Sequence, residues 1–362
     1  MKNTFGNNLT VTLFGESHGE YIGAVIDGLA PGIEIDSNKI STNLEKRRPY
    51  GKISTSRVEP DNYILASGVF DGKTTGTPLA FLIPNQNTKS KDYSKTRALA
   101  RPSHADYTAY QKYHGFEDYR GGGHFSGRLT AGVVGAAAII ESALENKGIK
   151  IASRIKSIGS VSERGFENIQ NDIKILENKR FCVLDDDAGA KMQAEIEAAV
   201  NDGDSVGGVI ETVVFGMPAG VGEPWFDSME SMLSHAIFSI PAVKGVEFGA
   251  GFDITKLRGS EANDSFYIDG GVKTKTNNSG GINGGITNGM PVIMRTAVKP
   301  TPTIFKKQDT INFIQNKNAE LEMQGRHDPC IVHRAVAVVN AMTAITVADM
   351  LVTRFGTDYL GE

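Results

Sequence analysis

Cysteine is almost missing from this chain. Two occur in 362 residues, Cys182 and Cys330. They lack metal-ligand spacing, so neither a disulfide framework nor a cysteine-held zinc site is expected. A charged start followed by an apolar segment is missing as well, and Met1 to Gly6 is not read as a signal peptide. The most apolar stretch, Ala131 to Ile140, stops at Glu141, short of the ~20 residues a bilayer span needs. No excess of positive charge is present either. The net charge is −4, which argues against binding nucleic acid by bulk electrostatics. No nucleic-acid or membrane partner is expected, and the cytoplasm is the expected compartment.

What is present is core material and glycine. Hydrophobic residues make up 40% of the chain, and glycines number 41, above the roughly 7% usual in globular proteins. They cluster at Gly121-Gly122-Gly123, Gly270-Gly271, Gly280-Gly281 and Gly284-Gly285, between well-patterned segments. They therefore mark tight loops rather than flexible linkers. Two long helices stand out, about Arg128 to Asn146 and about Arg334 to Arg354. The first is rich in small residues, which let neighbouring backbones approach. The second is apolar on nearly all sides, as a core helix is. Shorter helices are expected near 37–47, 189–201, 228–239 and 308–321. Strands are expected near 9–15, 21–27, 62–67, 78–83, 207–216, 244–249 and 291–298.

Several turn sequences recur in the same order. Gly15 to Gly19 precedes a strand, as Gly203 to Gly207 does. Thr74 to Pro78 leads into an apolar strand, as Thr287 to Pro291 does. Arg128 and Arg334 each open a buried helix. This reads as an internal duplication within one domain over 1–362. The halves are about 1–150 and 200–362, joined by a connecting region about 151–199. A layered, pseudo-symmetric fold is expected.

The chemistry-bearing residues lie on the glycine loops. Of seven histidines, His18, His104, His124, His327 and His333 fall in segments holding Gly, Pro or Arg. His235 reads as an ordinary helix residue, and His114 as a loop residue. Of fifteen arginines, eight fall in the loop-rich segments: Arg47, Arg48, Arg57, Arg101, Arg120, Arg128, Arg326 and Arg334. Arginine suits bidentate gripping of phosphate and carboxylate, so a small, multiply anionic substrate is expected. Gly15-Glu16-Ser17-His18-Gly19 matches a nucleophile elbow only in letters. An elbow needs a helix next, and here a strand is expected. His18 could instead be a general acid. Tyr119 to Arg128 resembles a phosphate cradle at a helix start, without the Gly-Lys-Ser/Thr ending of a Walker loop. Asp328, before Pro329, could be a base, could orient one, or could sit in a salt-bridged turn. Asp185-Asp186-Asp187 reads as helix-start acids rather than metal ligands; no metal is expected.

Taken together, these segments resemble the chorismate synthase family. The marks are Phe14 to Gly19, Arg47-Arg48-Pro49, Arg101 to Tyr107, Asp118 to Gly123, Gly220 to Pro224, Ala242 to Glu247, Lys299-Pro300-Thr301 and Gly325 to Cys330. The resemblance implies an α+β fold, a β-α-β sandwich with helices between two antiparallel sheets, assembled as a homotetramer. It implies a lyase that converts 5-enolpyruvylshikimate 3-phosphate to chorismate and phosphate by 1,4-anti elimination, in the shikimate pathway to aromatic amino acids. Reduced FMN is the implied cofactor, with NADPH or a separate flavin reductase supplying the reduction. No added reductase domain is visible, which favours the separate reductase. By position, His18 resembles the acid for the departing phosphate, and His104 the residue that protonates or stabilises the flavin. Asp328 resembles the aspartate that assists proton removal, with Ser17 and Ser126 supporting. The implied flavin contacts are His124, Phe125, Ser126, Ala242, Gly284, Lys299, Pro300, Thr301, Pro302, Thr303 and Arg326. Arg47, Arg48, Arg57 and Arg128 resemble substrate ligands.

One segment departs from the pattern. The family continues its triple glycine with Arg-Ser-Ser-Ala-Arg-Glu, where this chain has His124-Phe125-Ser126-Gly127-Arg128-Leu129. Ser126 and Arg128 are kept, and the first arginine is not. His124 could supply charge only when protonated, so a stronger dependence of activity on acid pH is expected. A phospho-metabolite binder of the same fold is the alternative function. An RNA binder is disfavoured by the acidic charge.

Overall fold

The computed structural model describes residues 2–55, 59–86, 97–323 and 328–361. Two five-stranded antiparallel sheets enclose a layer of helices. The first sheet is built from β1 (Thr4–Phe5), β2 (Thr10–Gly15), β3 (Tyr21–Asp27), β4 (Ile64–Ser67) and β5 (Leu79–Pro84), in the order β1-β2-β3-β5-β4. The second is built from β6 (Lys150–Ile158), β7 (Val161–Ser162), β8 (Gly208–Phe215), β9 (Val243–Phe248) and β10 (Val292–Val298), in the order β9-β10-β8-β6-β7. The pattern β2-β3-β5-β4 matches β6-β8-β10-β9 in both chain order and neighbours. Along β5 the burial alternates Leu79, Phe81, Ile83 in and Ala80, Leu82, Pro84 half-exposed, as a sheet with one covered face requires. The segment 151–199, read as a connection, thus contributes a central strand of the second sheet. It also holds α4 (Ile169–Glu177) and α5 (Asp186–Asn201).

The helix layer holds α1 (Ser37–Arg47), α3 (Thr130–Asn146), α6 (Met229–Phe238) and α7 (Val332–Phe355). Helix α3 packs on β3 and β5, α7 packs on β6 and β8, and the two helices pack on each other. Glycine makes the first contact possible. A Cβ at Gly132 would lie 2.8 Å from the backbone of Gly23, and one at Gly135 would lie 2.2 Å from the Phe81 ring. Both α7 and the segment Gly127–Asn146 are long and apolar enough to cross a membrane by length and composition. Each is a core helix here, with 83% of its most apolar window buried inside the fold.

A buried acid ties the chain's two ends together. Asp349, wholly buried on α7, accepts from the backbone N–H groups of Asn7, Asn8 and Leu9 at 2.8–2.9 Å. Three amides satisfy a carboxylate that would otherwise be costly to bury.

One expected helix is not a helix. Residues 308–321 form a hairpin of β11 (Gln308–Asn312) and β12 (Lys317–Leu321), with Gln308 opposite Leu321 and Asn312 opposite Lys317. Asn312 accepts from the Gln315 N–H, and Asn316 takes a left-handed φ of 50°. Asparagine offers the backbone a turn in place of a helix. Flanking pairing completes the choice, since Ala100 N–H donates to Ile311 and Phe313 N–H to Ala98. A helix without an expectation, α2 (Asp106–Tyr113), follows His104.

Candidate active site

A cavity of about 870 Å³ opens among the loops at the end of the helix layer. Its walls include Arg47 at the end of α1, the glycine loop before α3, the segment from His235 to Lys244, the 299–303 loop, and Asp328 and Arg334 before and on α7. The apolar side chains Ile331, Val338, Met342 and Ile345 form a further wall. A space of this size falls within the roughly 300–1,000 Å³ of small-molecule sites.

The glycine loop sets the first histidine. Gly121, Gly122 and Gly123 all take left-handed φ, at 59°, 85° and 53°. A Cβ on Gly121 would come within 2.7 Å of His18 Nε2 and 2.9 Å of Ser17 Oγ; one on Gly123 would strike the Asp118 carbonyl at 1.9 Å. Ser17 N–H donates to Gly123 O at 3.0 Å. The strand–turn–loop contact therefore exists only because these residues have no side chain. Strand β3 follows the Ser17-His18 turn, so the nucleophile-elbow geometry is absent there.

His104 is held by Asp106 and Arg101. Its Nδ1 lies 2.8 Å from Asp106 Oδ1 and 3.0 Å from an Arg101 nitrogen. Arg101 grips the same carboxylate with Nε at 2.8 Å and Nη2 at 2.6 Å. An ionised carboxylate only accepts, so the 2.8 Å contact with Asp106 calls for Nδ1–H, and the guanidinium, itself a donor, then bonds the carboxylate rather than the ring. Nε2 is then left beside Gly122. Burial raises the Asp106 carboxyl, but hydrogen bonds from Arg101 and His104 outweigh it and hold the acid well below the usual carboxylate range.

The arginines converge on a third side. Arg128 forms a short ion pair with Asp61, Arg47 lies 3.7 Å from it, and Arg48 Nε donates to it at 3.3 Å. Burial pulls the Arg47 guanidinium down to about 9, against the raising effect of Asp61; Arg334 and Arg128 lower it further. Asp328 pairs with Arg334 and accepts from Thr55 N–H at 3.1 Å. His333, next on the helix, is buried with Nε2 2.7 Å from Ser54 Oγ. Asn85 then joins two parts of the site. Its Oδ1 accepts from Arg128 Nε at 2.9 Å, while Nδ2 donates to the carbonyls of Glu16 and Gly19 at 3.1 and 2.9 Å.

The remaining wall is basic and pinned. Lys299 Nζ donates to Ser103 O at 2.6 Å, and its backbone N–H to Ala242 O at 2.9 Å. Burial and then Lys244 lower the Lys299 ammonium. Ser205 Oγ donates to Thr301 O at 2.7 Å. His124 Nδ1 lies 2.8 Å from Gly15 O and so donates to it, which leaves Nε2 as the variable nitrogen.

Of the residues singled out in the sequence, Arg47, His104, His124, Phe125, Ser126, Arg128, Ala242, Lys299, Thr301, Pro302, Thr303 and Asp328 line this one cavity. Ser17 and His18 back onto it through Gly121. Arg48 reaches Asp61 from outside the walls, and Pro300 sits between two lining residues. Gly284 lies elsewhere, in the turn of the hairpin Ile282–Asn283/Ile286–Thr287, whose Gly285 packs against Ser228 at the start of α6. Arg57, Arg326 and His327 lie outside the described residues. Asp185, read as a helix-start acid, caps α5 by accepting from Ala188 N–H at 2.9 Å. Sequence reasoning missed Asp61, Asn85 and His235. The last lines the cavity edge-on to Phe5, at 5.2 Å between ring centroids; its ordinary helical setting gave no signal.

Residues 9–352 match the family described as chorismate synthase. A chorismate synthase from Pyrococcus abyssi is 49% identical over 350 residues, covering 96% of this chain and 97% of that protein. One from Dehalococcoides mccartyi is 46% identical over 352 residues, covering 97% and 96%. A crystal structure of chorismate synthase superposes with a TM-score of 0.77 at 28% identity, covering 98% of this chain and 94% of that one.

Proposed function

The chain belongs to the chorismate synthase family, a family of lyases that form chorismate in the shikimate pathway, and on that premise we propose its reaction in detail. The substrate is 5-enolpyruvylshikimate 3-phosphate. The carbon–oxygen bond to phosphate breaks, a carbon–hydrogen bond across the ring breaks, and a new double bond forms with no net change of redox state. The observation that carries this reading is the convergence of Arg47, Arg128 and Arg334 with His104, His124 and Lys299 on one cavity. A phosphate and two carboxylates need such a donor set.

The arginines bind and orient the substrate. His18, held against Gly121, protonates the departing phosphate. His104 holds a proton at Nδ1 toward Asp106 and presents Nε2 to the cofactor side. Asp328, fixed by Arg334 and Thr55, assists removal of the ring hydrogen. Ser17 and Ser126 support these groups.

The residues present fit a flavin mononucleotide. The cavity has room for more than the substrate, an apolar wall for a ring system, and lysines at one end. The buried Thr301 hydroxyl has no hydrogen-bond partner among the described residues. His124 to Ser126, Ala242, Gly284, Lys299 to Thr303 and Arg326 are the residues we assign to the cofactor, and the assembly we propose is a homotetramer. Reduced FMN, when bound, supplies an electron that is returned within each turnover. We read the matching strand orders of the two sheets as a duplicated single domain. The protein works in the cytoplasm.

The test is phosphate release from 5-enolpyruvylshikimate 3-phosphate under anaerobic conditions. Release with reduced FMN and none with oxidised FMN is expected. Equal release without flavin, or none with reduced flavin, refutes the reading. NADPH and FMN alone are expected to give no turnover until a separate flavin reductase is added.

A further inference from the structure

We infer that Asp61 is a positioning residue that holds Arg47 and Arg128 together as one anion-binding wall, with Arg48 bracing it from outside the cavity. The inference rests on the reading above for the identity of the ligand, not for the geometry. The Asp61 side chain is fully buried, and three guanidinium groups reach it, two from the end of α1 and one from the turn before α3. Arg47 is the last residue of α1, Arg48 caps it, and Arg128 lies in the turn before α3. Asp61 also takes a left-handed φ of 54°, a conformation that aspartate tolerates but that needs its surroundings to hold it. Arg48 adds a short bond to the carbonyl of Pro60, fastening the same turn.

The carboxylate does not use up the arginines. Arg47 Nε and Arg128 Nη2 are buried and have no hydrogen-bond partner among the described residues. Both side chains line the cavity. Unsatisfied charged donors in a cavity wall point to an anion that arrives from solution. One buried carboxylate against three guanidiniums leaves the wall positive, while lowering the mutual repulsion that would splay it.

Two accounts of Asp61 predict opposite signs. If it were only a negative charge near an anion site, removing it would tighten anion binding. If it positions the arginines, removing it weakens binding. Asp61→Asn keeps the volume and removes the charge. Inorganic phosphate and 5-enolpyruvylshikimate 3-phosphate are titrated calorimetrically into wild type and variant without reduced flavin, so that no turnover occurs. At least tenfold weaker binding of both is expected, and in the assay KM rises by a larger factor than kcat falls. Equal or tighter phosphate binding by the variant overturns the proposal. Should the variant not fold, a crystal structure of the wild type with phosphate decides. Arg47 and Arg128 still on Asp61 support the role, and their release from it refutes it. A wild type that releases no phosphate with reduced FMN refutes the reaction instead, and leaves the phosphate titration to decide on Asp61.

Discussion

Asn85 and Arg128 are joined by a 2.9 Å hydrogen bond from Nε to Oδ1, and the same amide donates to both carbonyls that flank the Ser17-His18 turn. The amide orientation is fixed by its partners, since a guanidinium can only donate and a carbonyl only accept. The turn carrying the proposed proton donor and the arginine proposed to bind substrate are thereby tied through one side chain. Asn85→Ala is expected to lower kcat/KM by about 10- to 100-fold, as small misplacements of oriented groups do. Stability should fall by about 1–2 kcal/mol from the unpaired polar groups. Steady-state kinetics with reduced FMN, beside urea unfolding, separates the two; unchanged kinetics with lowered stability would make Asn85 merely structural.

Asp106→Asn removes the charge and turns one of two acceptor oxygens into a donor, so the amide cannot serve both His104 Nδ1–H and the two Arg101 donors as the carboxylate does. Activity is expected to drop about 100-fold, in the range of general acid–base contributions. The pH–rate profile should shift with it. A profile and rate like the wild type would show that the dyad does not act.

Gly121→Ala places a Cβ 2.7 Å from His18 Nε2 at a φ of 59°. The imidazole and Ser17 must move. Loss of nearly all activity is expected, with a stability cost of about 1–3 kcal/mol for the strained backbone. Gly148→Ala is the control, because its φ is 76° and its Cβ would meet nothing within 4 Å. Similar stability losses with activity lost only in the first would locate the effect at His18.

These positions mark what the sequence made legible. The glycine loop, His18, His104 and the two core helices were readable because glycine clusters, strand periodicity and apolar helices are local signals. Asp61 and Asn85 were not, because a carboxylate or amide in a polar stretch looks like any solvated loop until the chain brings its partners close. The 308–321 hairpin was misread for a related reason. Its Lys, Glu and Gln suit a helix, and its pairing with residues 98–100 is set by the tertiary fold, which overrides propensity. The strand β6 was passed over because Lys150, Arg154 and Lys156 interrupt its apolar pattern. Arg154 is in fact wholly buried, paired with Glu163 and Glu211 at 2.5 Å.

His333 gives the protein a pH dependence of its own. Burial, and then Arg334, push its imidazole down to about 3. The folded state thus resists a proton that the unfolded chain accepts near 6.5. Stability from neutral His333 is complete above 6.5 and is lost as pH falls from there toward 3. At pH 5 the loss is about 2 kcal/mol, at 1.36 kcal/mol per unit below 6.5. Urea midpoints measured from pH 7 to pH 5 are expected to fall, and His333→Gln should flatten that slope. An equal slope in the variant would assign the dependence to other groups.

A charge role for His124 would show in activity rather than in stability. With Nδ1–H committed to Gly15 O, only protonation of Nε2 makes the ring a cation. Activity in the wild type should therefore decline toward alkaline pH more steeply than in His124→Arg. Superimposable profiles would refute a charge role.

The contact of Asp349 with the amides of Asn7, Asn8 and Leu9 has a consequence for synthesis on the ribosome. The first strands emerge long before their anchor is made. A nascent chain carries the Asn7 to Leu9 amides without their acceptor until Asp349, 340 residues beyond Leu9, has been made. Truncations that remove the last helix would leave the N-terminal turn without its carboxylate.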